Sequence, residues 1–106
     1  SPKLTFEQPE PLQSGSFLTT HFVDTPFFSI ERLESTEDAS MELVVDSTPV
    51  VLMVIAGHAT IEHGVSVDAT CGTTILLPVG LTNATLTMPK STVVLRFDLP
   101  SPTMIV

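Results

Sequence analysis

A chain of 106 residues can bury one hydrophobic core and is too short for two domains of ordinary size. Its formal net charge of −8, from 12 acidic and 4 basic residues, repels phosphate backbones and anionic lipid surfaces, which excludes nucleic acid and membranes as partners. The longest apolar run, 50–56, is too short to span a bilayer, so we predict a cytoplasmic protein. The single cysteine, Cys71, excludes an internal disulfide and is predicted to be a turn or strand-end residue.

The first segment of the chain differs in composition from the rest. Residues 1–16 are rich in proline and follow no hydrophobic period, which predicts an extended lead-in or connector. The remaining residues, 17–106, are predicted to form one domain.

That domain consists of short runs of aliphatic and β-branched residues, with turn residues roughly every ten positions. Apolar and polar residues alternate over 41–45, as in a half-buried strand, whereas the unbroken run 50–56 is typical of a strand covered on both faces. No window follows a helical period. We therefore predict an all-β sandwich or barrel of eight or nine short antiparallel strands. The predicted strands cover 17–23, 27–34, 41–46, 50–56, 59–62, 65–67, 73–77, 83–88 and 93–98.

One motif narrows the fold. Gly72, Pro78 and Gly80 are spaced as Gly, five residues, Pro-x-Gly, and Asn83 follows after two intervening residues. The pattern resembles the second motif of cupins, which implies a cupin-like double-stranded β-helix, a jelly-roll barrel, with Asn83 at the position of a metal-binding His. The first cupin motif would end at Gly57 and carry His-x-His and Glu upstream, but residues 42–55 contain no His. A neutral amide is a poor substitute for imidazole, so we predict no metal and no cofactor in this chain.

Four further blocks resemble the C-terminal domain of type I mannose-6-phosphate isomerases. They occur in the same order as in that domain and cover 4–11, 25–34, 51–61 and 72–80, with departures at Ala59, Thr73 and Val79. In that family a zinc-dependent enzyme interconverts mannose 6-phosphate and fructose 6-phosphate, and its metal ligands belong to the preceding barrel. The resemblance implies that this chain is the non-catalytic C-terminal barrel of such a protein. Its partner would be the catalytic barrel of the parent chain, and zinc would be expected there.

The alternative is a free-standing, metal-free cupin that binds a sugar or another small ligand as a sensor or carrier. A barrel built to dock on a larger one would expose apolar residues when expressed alone, so we also predict self-association or a lead-in folded back over the sheet. The apolar residues expected at that surface are Leu4, Phe6, Leu12, Phe17, Phe22, Phe27 and Phe28.

Three residues invite a metal hypothesis, because His58, Glu62 and His63 are potential ligands within one short segment. On a strand, His58 and Glu62 would share a face but lie roughly 13 Å apart at about 3.3 Å per residue, and His63 would face the other side. We predict surface or turn residues rather than a metal site.

The remaining polar candidates are also read as structural. His21 and Asp24 could form a polar dyad at a strand end, but no nucleophile lies near them in sequence. Glu31 and Glu34 are three residues apart and face opposite sides of a strand, which argues against paired acid–base catalysis. Arg96 shares a face with Asp98, and we expect an internal salt bridge, with an anion contact as the alternative. No catalytic, cofactor-binding or metal-binding residue is assigned.

Overall fold

The computed structural model describes residues 11–24, 28–46 and 48–99, and it confirms an all-β jelly roll. Ten strands are present, one or two more than predicted, and within the described ranges no helix is long and apolar enough to cross a membrane. The strands are β1 (Leu12–Ser14), β2 (Phe17–Asp24), β3 (Ser29–Ser35), β4 (Ala39–Leu43), β5 (Val50–Ala56), β6 (His58–His63), β7 (Val65–Thr70), β8 (Thr74–Leu77), β9 (Ala84–Met88) and β10 (Val93–Asp98).

The strands form two antiparallel sheets that face each other across the core. The larger sheet has six strands in the order β1-β2-β3-β10-β5-β8, and the smaller has four in the order β4-β9-β6-β7. Strand β1 lies inside the segment predicted as a connector and pairs with β2. The rest of that connector up to residue 10 lies outside the described residues, so its boundary remains a prediction.

Alternation along each strand defines an inner face, which carries the core, and an outer face. On the larger sheet the inner residues include Leu33 of β3, Val94 of β10 and Leu52 of β5, and all three are buried. On the smaller sheet Leu86 of β9 and Ile61 of β6 have the same role. The core is aliphatic throughout, and it is formed by Leu33, Leu43, Val45, Val50, Leu52, Val54, Ala59, Ile61, Ala69, Leu77, Ala84, Leu86, Met88 and Val94.

Strand β5 matches its predicted bounds but not its predicted surroundings. Val50, Leu52 and Val54 are buried on the inner face, whereas Val51 and Met53 are only half-buried on the outer face and Ile55 is exposed. A continuous apolar run cannot by itself report whether its second face is covered.

The hydroxyls of Ser35 and Thr92 join β3, β6 and the turn before β10 through hydrogen bonds to the backbone, and we call these contacts the clamp. The Ser35 hydroxyl donates to the Pro89 carbonyl and accepts from the Thr92 backbone N–H at 3.0 Å. The Thr92 hydroxyl donates to the His58 carbonyl at 3.1 Å, directly beside Gly57. The end of the larger sheet that holds this clamp is therefore closed by buried, satisfied hydrogen bonds.

The structure describes four of the seven apolar residues expected at a contact surface. Leu12, Phe22 and Phe28 are exposed, whereas Phe17 is half-buried and packs against the core. Leu4, Phe6 and Phe27 lie outside the described residues. Self-association remains a prediction.

Candidate functional site

Charged and polar side chains interrupt the apolar inner face of the larger sheet at one end. Antiparallel pairing sets Ser29 beside Asp98 and Glu31 beside Arg96, and it sets His21 of β2 beside Glu31. Residues opposite each other in an antiparallel ladder point to the same side of the sheet. We call these five residues the inner polar cluster: His21, Ser29, Glu31, Arg96 and Asp98.

The cluster directly adjoins an aliphatic surface. On the next strand, Arg96 pairs with Leu52 and Asp98 pairs with Val50, and both of these aliphatic residues are only 2% exposed. Beyond them, β8 sets Leu77 beside Val50. At this end of the larger sheet, the inner face is therefore polar across β2, β3 and β10 and aliphatic across β5 and β8.

Asp98 is the hydrogen-bonded centre of the cluster. One carboxylate oxygen accepts from Nη2 of Arg96 at 3.3 Å, and the other accepts from the hydroxyl of Ser29 at 2.9 Å. This confirms the internal salt bridge predicted for Arg96. Both carboxylate oxygens of Asp98 are thus engaged, and the charges of Asp98 and Arg96 compensate each other.

Two other groups of the cluster lack this compensation. Nε of Arg96 is buried and has no hydrogen-bond partner among the described residues. Oε1 of Glu31 lies 3.8 Å from Nδ1 of His21, too far for a hydrogen bond, and no described residue donates to it. A buried donor without a partner costs about 1–3 kcal/mol, so this arrangement is expensive for the fold.

Solvent reaches the cluster from one end of the sheet. The side chains of Glu31, Arg96 and Asp98 are 25%, 23% and 27% exposed. Two residues further along the same strands and the same face, Leu33 and Val94 are 5% and 1% exposed. The exposure falls within one strand repeat, so the cluster lies at a partly exposed end of the inner face, which we call the opening.

Strand pairing, rather than any local motif, assembles the cluster. Ser29 and Glu31 alternate with Ile30 on β3, and Arg96 and Asp98 alternate with Phe97 on β10, so each strand alone reads as an ordinary half-buried strand. Sequence reasoning found Arg96 but dismissed Glu31 and did not consider Ser29. Only the register of β3 against β10, which pairs residues more than sixty positions apart, could reveal them.

The polar dyad considered for His21 and Asp24 is not tested by the described residues. His21 neighbours Glu31 across the strands, and a bulge between His21 and Val23 shifts the register before Asp24. The side chain of Asp24 lies outside the described residues. Glu34 is on the outer face of β3, where it pairs with Arg32 at 2.9 Å, in agreement with the opposite faces expected for Glu31 and Glu34.

The histidine-rich segment lies elsewhere on the molecule. His58, Glu62 and His63 are all exposed along β6, at the smaller sheet. Cys71 is exposed in the turn after β7, where its thiol donates to the carbonyl of Ile55 at 3.3 Å. Within the described residues, no three His, Cys, Asp or Glu side chains are grouped so that they could hold a metal ion.

The cupin-like motif implies a metal position, and the side chains at that position decide whether a metal could bind there. Asn83 has a φ of 58° and is exposed, next to the buried Ala84. Upstream of Gly57 the inner positions carry Leu43, Val45 and Val50, each 2% exposed. Aliphatic side chains offer no lone pair to a metal, so these residues do not fit a cupin metal centre.

The backbone of that region nevertheless keeps the expected connection. The N–H of Val45 donates to the carbonyl of Leu81 at 3.0 Å, and the N–H of Gly80 donates to the carbonyl of Val45 at 2.8 Å. The Pro-x-Gly turn is thereby tied to the segment in which His-x-His would lie. The backbone arrangement expected around a cupin metal site is therefore present, but buried aliphatic side chains occupy the positions of the metal ligands.

Solved structures share this fold at low sequence identity. An RmlC-like cupin from Shewanella frigidimarina matches all of this chain and 97% of its own, with a TM-score of 0.77 and 17% identity. KdgF from Halomonas sp. matches with a TM-score of 0.75 and 12% identity over 92% of this chain and 93% of its own. The EutQ protein of Clostridium difficile matches with a TM-score of 0.67 and 18% identity over 88% and 78%. No protein-family model matches the sequence, and neither does any curated protein.

These similarities overturn the assignment to mannose-6-phosphate isomerase. The chain matches cupins of its own size along nearly their whole length, so the prediction of an accessory barrel from that isomerase is wrong. Two of the four blocks, 51–61 and 72–80, contain a strand that ends at Gly57 and a Pro-x-Gly turn, which the jelly roll itself requires. Such blocks identify the barrel fold but do not distinguish one family with that fold from another. The chain has the cupin fold.

Proposed function

We propose that this protein is a metal-independent cupin that binds a small polar molecule at the inner polar cluster, as a sensor or carrier. The observation that carries the proposal is a partly exposed set of charges on the inner face of the barrel, in which no described residue donates a hydrogen bond to Glu31 and Nε of Arg96 has no hydrogen-bond partner among the described residues. Binding sites commonly contain a few convergent polar groups of this kind.

The energetics support binding rather than structural support. A partly buried ion pair contributes little net stability, and apolar residues of similar volume often replace such pairs without loss. Val94 and Leu52, which flank Arg96 along and across the strands, show that this face accommodates aliphatic side chains. Charges kept at such a position are better explained by a ligand that completes their hydrogen bonds.

The chemistry available to the cluster is recognition. It combines one guanidinium, two carboxylates, one hydroxyl and one imidazole, and the metal position of the fold is filled with aliphatic side chains. The proposal therefore assigns no reaction step to this chain.

Protein NMR with isotope-labelled chain tests the proposal. The probes are D-glucose, D-glucuronate, D-glucosamine and glycine, which represent neutral, anionic, cationic and zwitterionic small molecules. We expect at least one of them to shift the backbone amides of Glu31, Arg96 and Asp98, and we expect Arg96→Met to remove these shifts.

The matched control is Glu34→Gln, because Glu34 lies on the same strand but on the outer face. It should leave the shifts unchanged. If none of the four probes perturbs the cluster at millimolar concentration, or if Glu34→Gln removes the shifts as effectively as Arg96→Met, the proposed site is wrong.

A further inference from the structure

The charges of the inner polar cluster restrict what kind of molecule can occupy it. With the charges of Asp98 and Arg96 compensating each other, the carboxylate of Glu31 remains as the further negative charge of the cluster. An anionic ligand would bring its charge close to both Glu31 and Asp98. Like charges at such distances disfavour binding, the more so on a partly desolvated face.

A cationic ligand meets the opposite obstacle. Its best partner is Glu31, but Glu31 and Arg96 are directly opposed across the β3–β10 ladder, where paired residues lie about 5 Å apart. A cation bound to Glu31 would therefore lie near the positively charged guanidinium of Arg96. Asp98 could not offset this repulsion, because its two carboxylate oxygens already accept from Arg96 and Ser29. The cluster is thus unfavourable for both signs of charge.

A neutral hydroxyl suits the same surroundings, because it donates and accepts at once. It can donate to the carboxylate of Glu31, which no described residue does, and accept from the guanidinium N–H groups that Asp98 leaves free. Adjacent hydroxyls on one carbon skeleton match the side-by-side placement of Glu31 and Arg96.

We infer that the ligand is a neutral polyhydroxylated molecule, a sugar or polyol, whose hydroxyls bridge Glu31 and Arg96. The inference rests on the proposed function, since it names the class of molecule for the same site. Glu31 then determines specificity, because it accepts from the hydroxyls and repels anions.

The experiment compares three probes with one ring skeleton: D-glucose, D-glucuronate and D-glucosamine. Dissociation constants are taken from NMR titrations that follow the amides of Glu31 and Arg96. We expect D-glucose to bind at least about tenfold more tightly than either charged analogue. Hydrogen bonds to charged groups are strong enough that Glu31→Gln or Arg96→Met should weaken D-glucose binding by about tenfold to a hundredfold.

Glu31→Gln has a second expected effect that a purely structural role would not produce. The amide removes the negative charge, so the affinity for D-glucuronate should approach that for D-glucose, whereas Glu34→Gln should alter neither. Tighter binding of a charged analogue by the unmodified protein overturns the ligand class while the site stands. Absence of shifts at the cluster with all three probes and with glycine overturns the site as well.

Discussion

Gly57 is the position where a single methyl group should have the largest effect. Its φ is +74°, and a Cβ built there lies 2.7 Å from Oγ1 of Thr92 and 3.1 Å from its backbone Cα. The hydroxyl cannot simply rotate away, because it donates to the carbonyl of His58 at 3.1 Å. Gly57→Ala therefore combines a left-handed backbone conformation, a clash with backbone and a threatened hydrogen bond.

Each of these three effects has a known size. The left-handed conformation costs an L-residue about 1–2 kcal/mol, overpacking costs about 1–3 kcal/mol, and the hydrogen bond is worth about 1 kcal/mol. We expect Gly57→Ala to lower the free energy of unfolding by about 3–5 kcal/mol, a large part of the total stability of a small domain. Urea denaturation followed by far-UV circular dichroism measures this loss.

Gly64 is the matched control. Its φ is +73°, but nothing lies within 4 Å of an added Cβ. Gly64→Ala should therefore cost only the conformational part, about 1–2 kcal/mol. In a Thr92→Ala background the closest contact of Gly57→Ala disappears, so the added loss should shrink by about 1 kcal/mol. Equal losses for Gly57→Ala and Gly64→Ala would refute the packing argument.

Four other outcomes are expected. The purified chain should carry no stoichiometric zinc, iron or manganese after exhaustive dialysis, because aliphatic side chains fill the cupin metal position; about one metal per chain in elemental analysis would contradict this. Arg96→Met should lower the free energy of urea unfolding, because Asp98 loses its ion-pair partner, and Asp98→Asn in the same background should recover most of that loss; an unrecovered loss above about 3 kcal/mol would indicate a structural residue. Leu86→Ala, at a position only 1% exposed, should cost about 2–5 kcal/mol in the same assay, and a loss below about 1 kcal/mol would contradict a closed core. Light scattering should show a mass that rises with concentration and falls in Phe22→Ser, since Phe22 is an exposed aromatic; a monomer at all concentrations would exclude self-association through this surface.

The fold was largely predictable because its signals are local. The run 50–56 coincides with β5, and the run 83–88 matches β9 to within one residue, since unbroken or alternating apolar residues between turn residues identify strands without knowledge of the partner strand. Strand β1 was missed because Leu12–Ser14 is short, exposed and close to several prolines, so it carries no hydrophobic signal. Its pairing with β2 is a tertiary fact.

The family and the site were less accessible for different reasons. The Gly72 to Gly80 spacing reflects turns that any cupin barrel needs, so it identified the fold correctly and the isomerase family wrongly. Arg96 was recognised as an ion-pair residue because Asp98 lies two positions away on the same strand. Glu31 was set aside because its comparison with Glu34, along one strand, concealed its position opposite Arg96 on another.

The two ends of the inner face of the larger sheet differ in polarity, although the same strands form both. Toward the clamp, Leu33, Val94 and Val54 pack together and are almost fully buried. Toward the opening, Glu31 and Arg96 take the equivalent positions, at the cost of an unpartnered N–H. Nothing in the strand geometry forces this change, because Leu52 beside Arg96 shows that an aliphatic residue is accommodated in the same row. Because the fold fills its metal position with aliphatic side chains, yet keeps charges in the adjacent row where packing alone favours apolar residues, we place the proposed binding site at those charges.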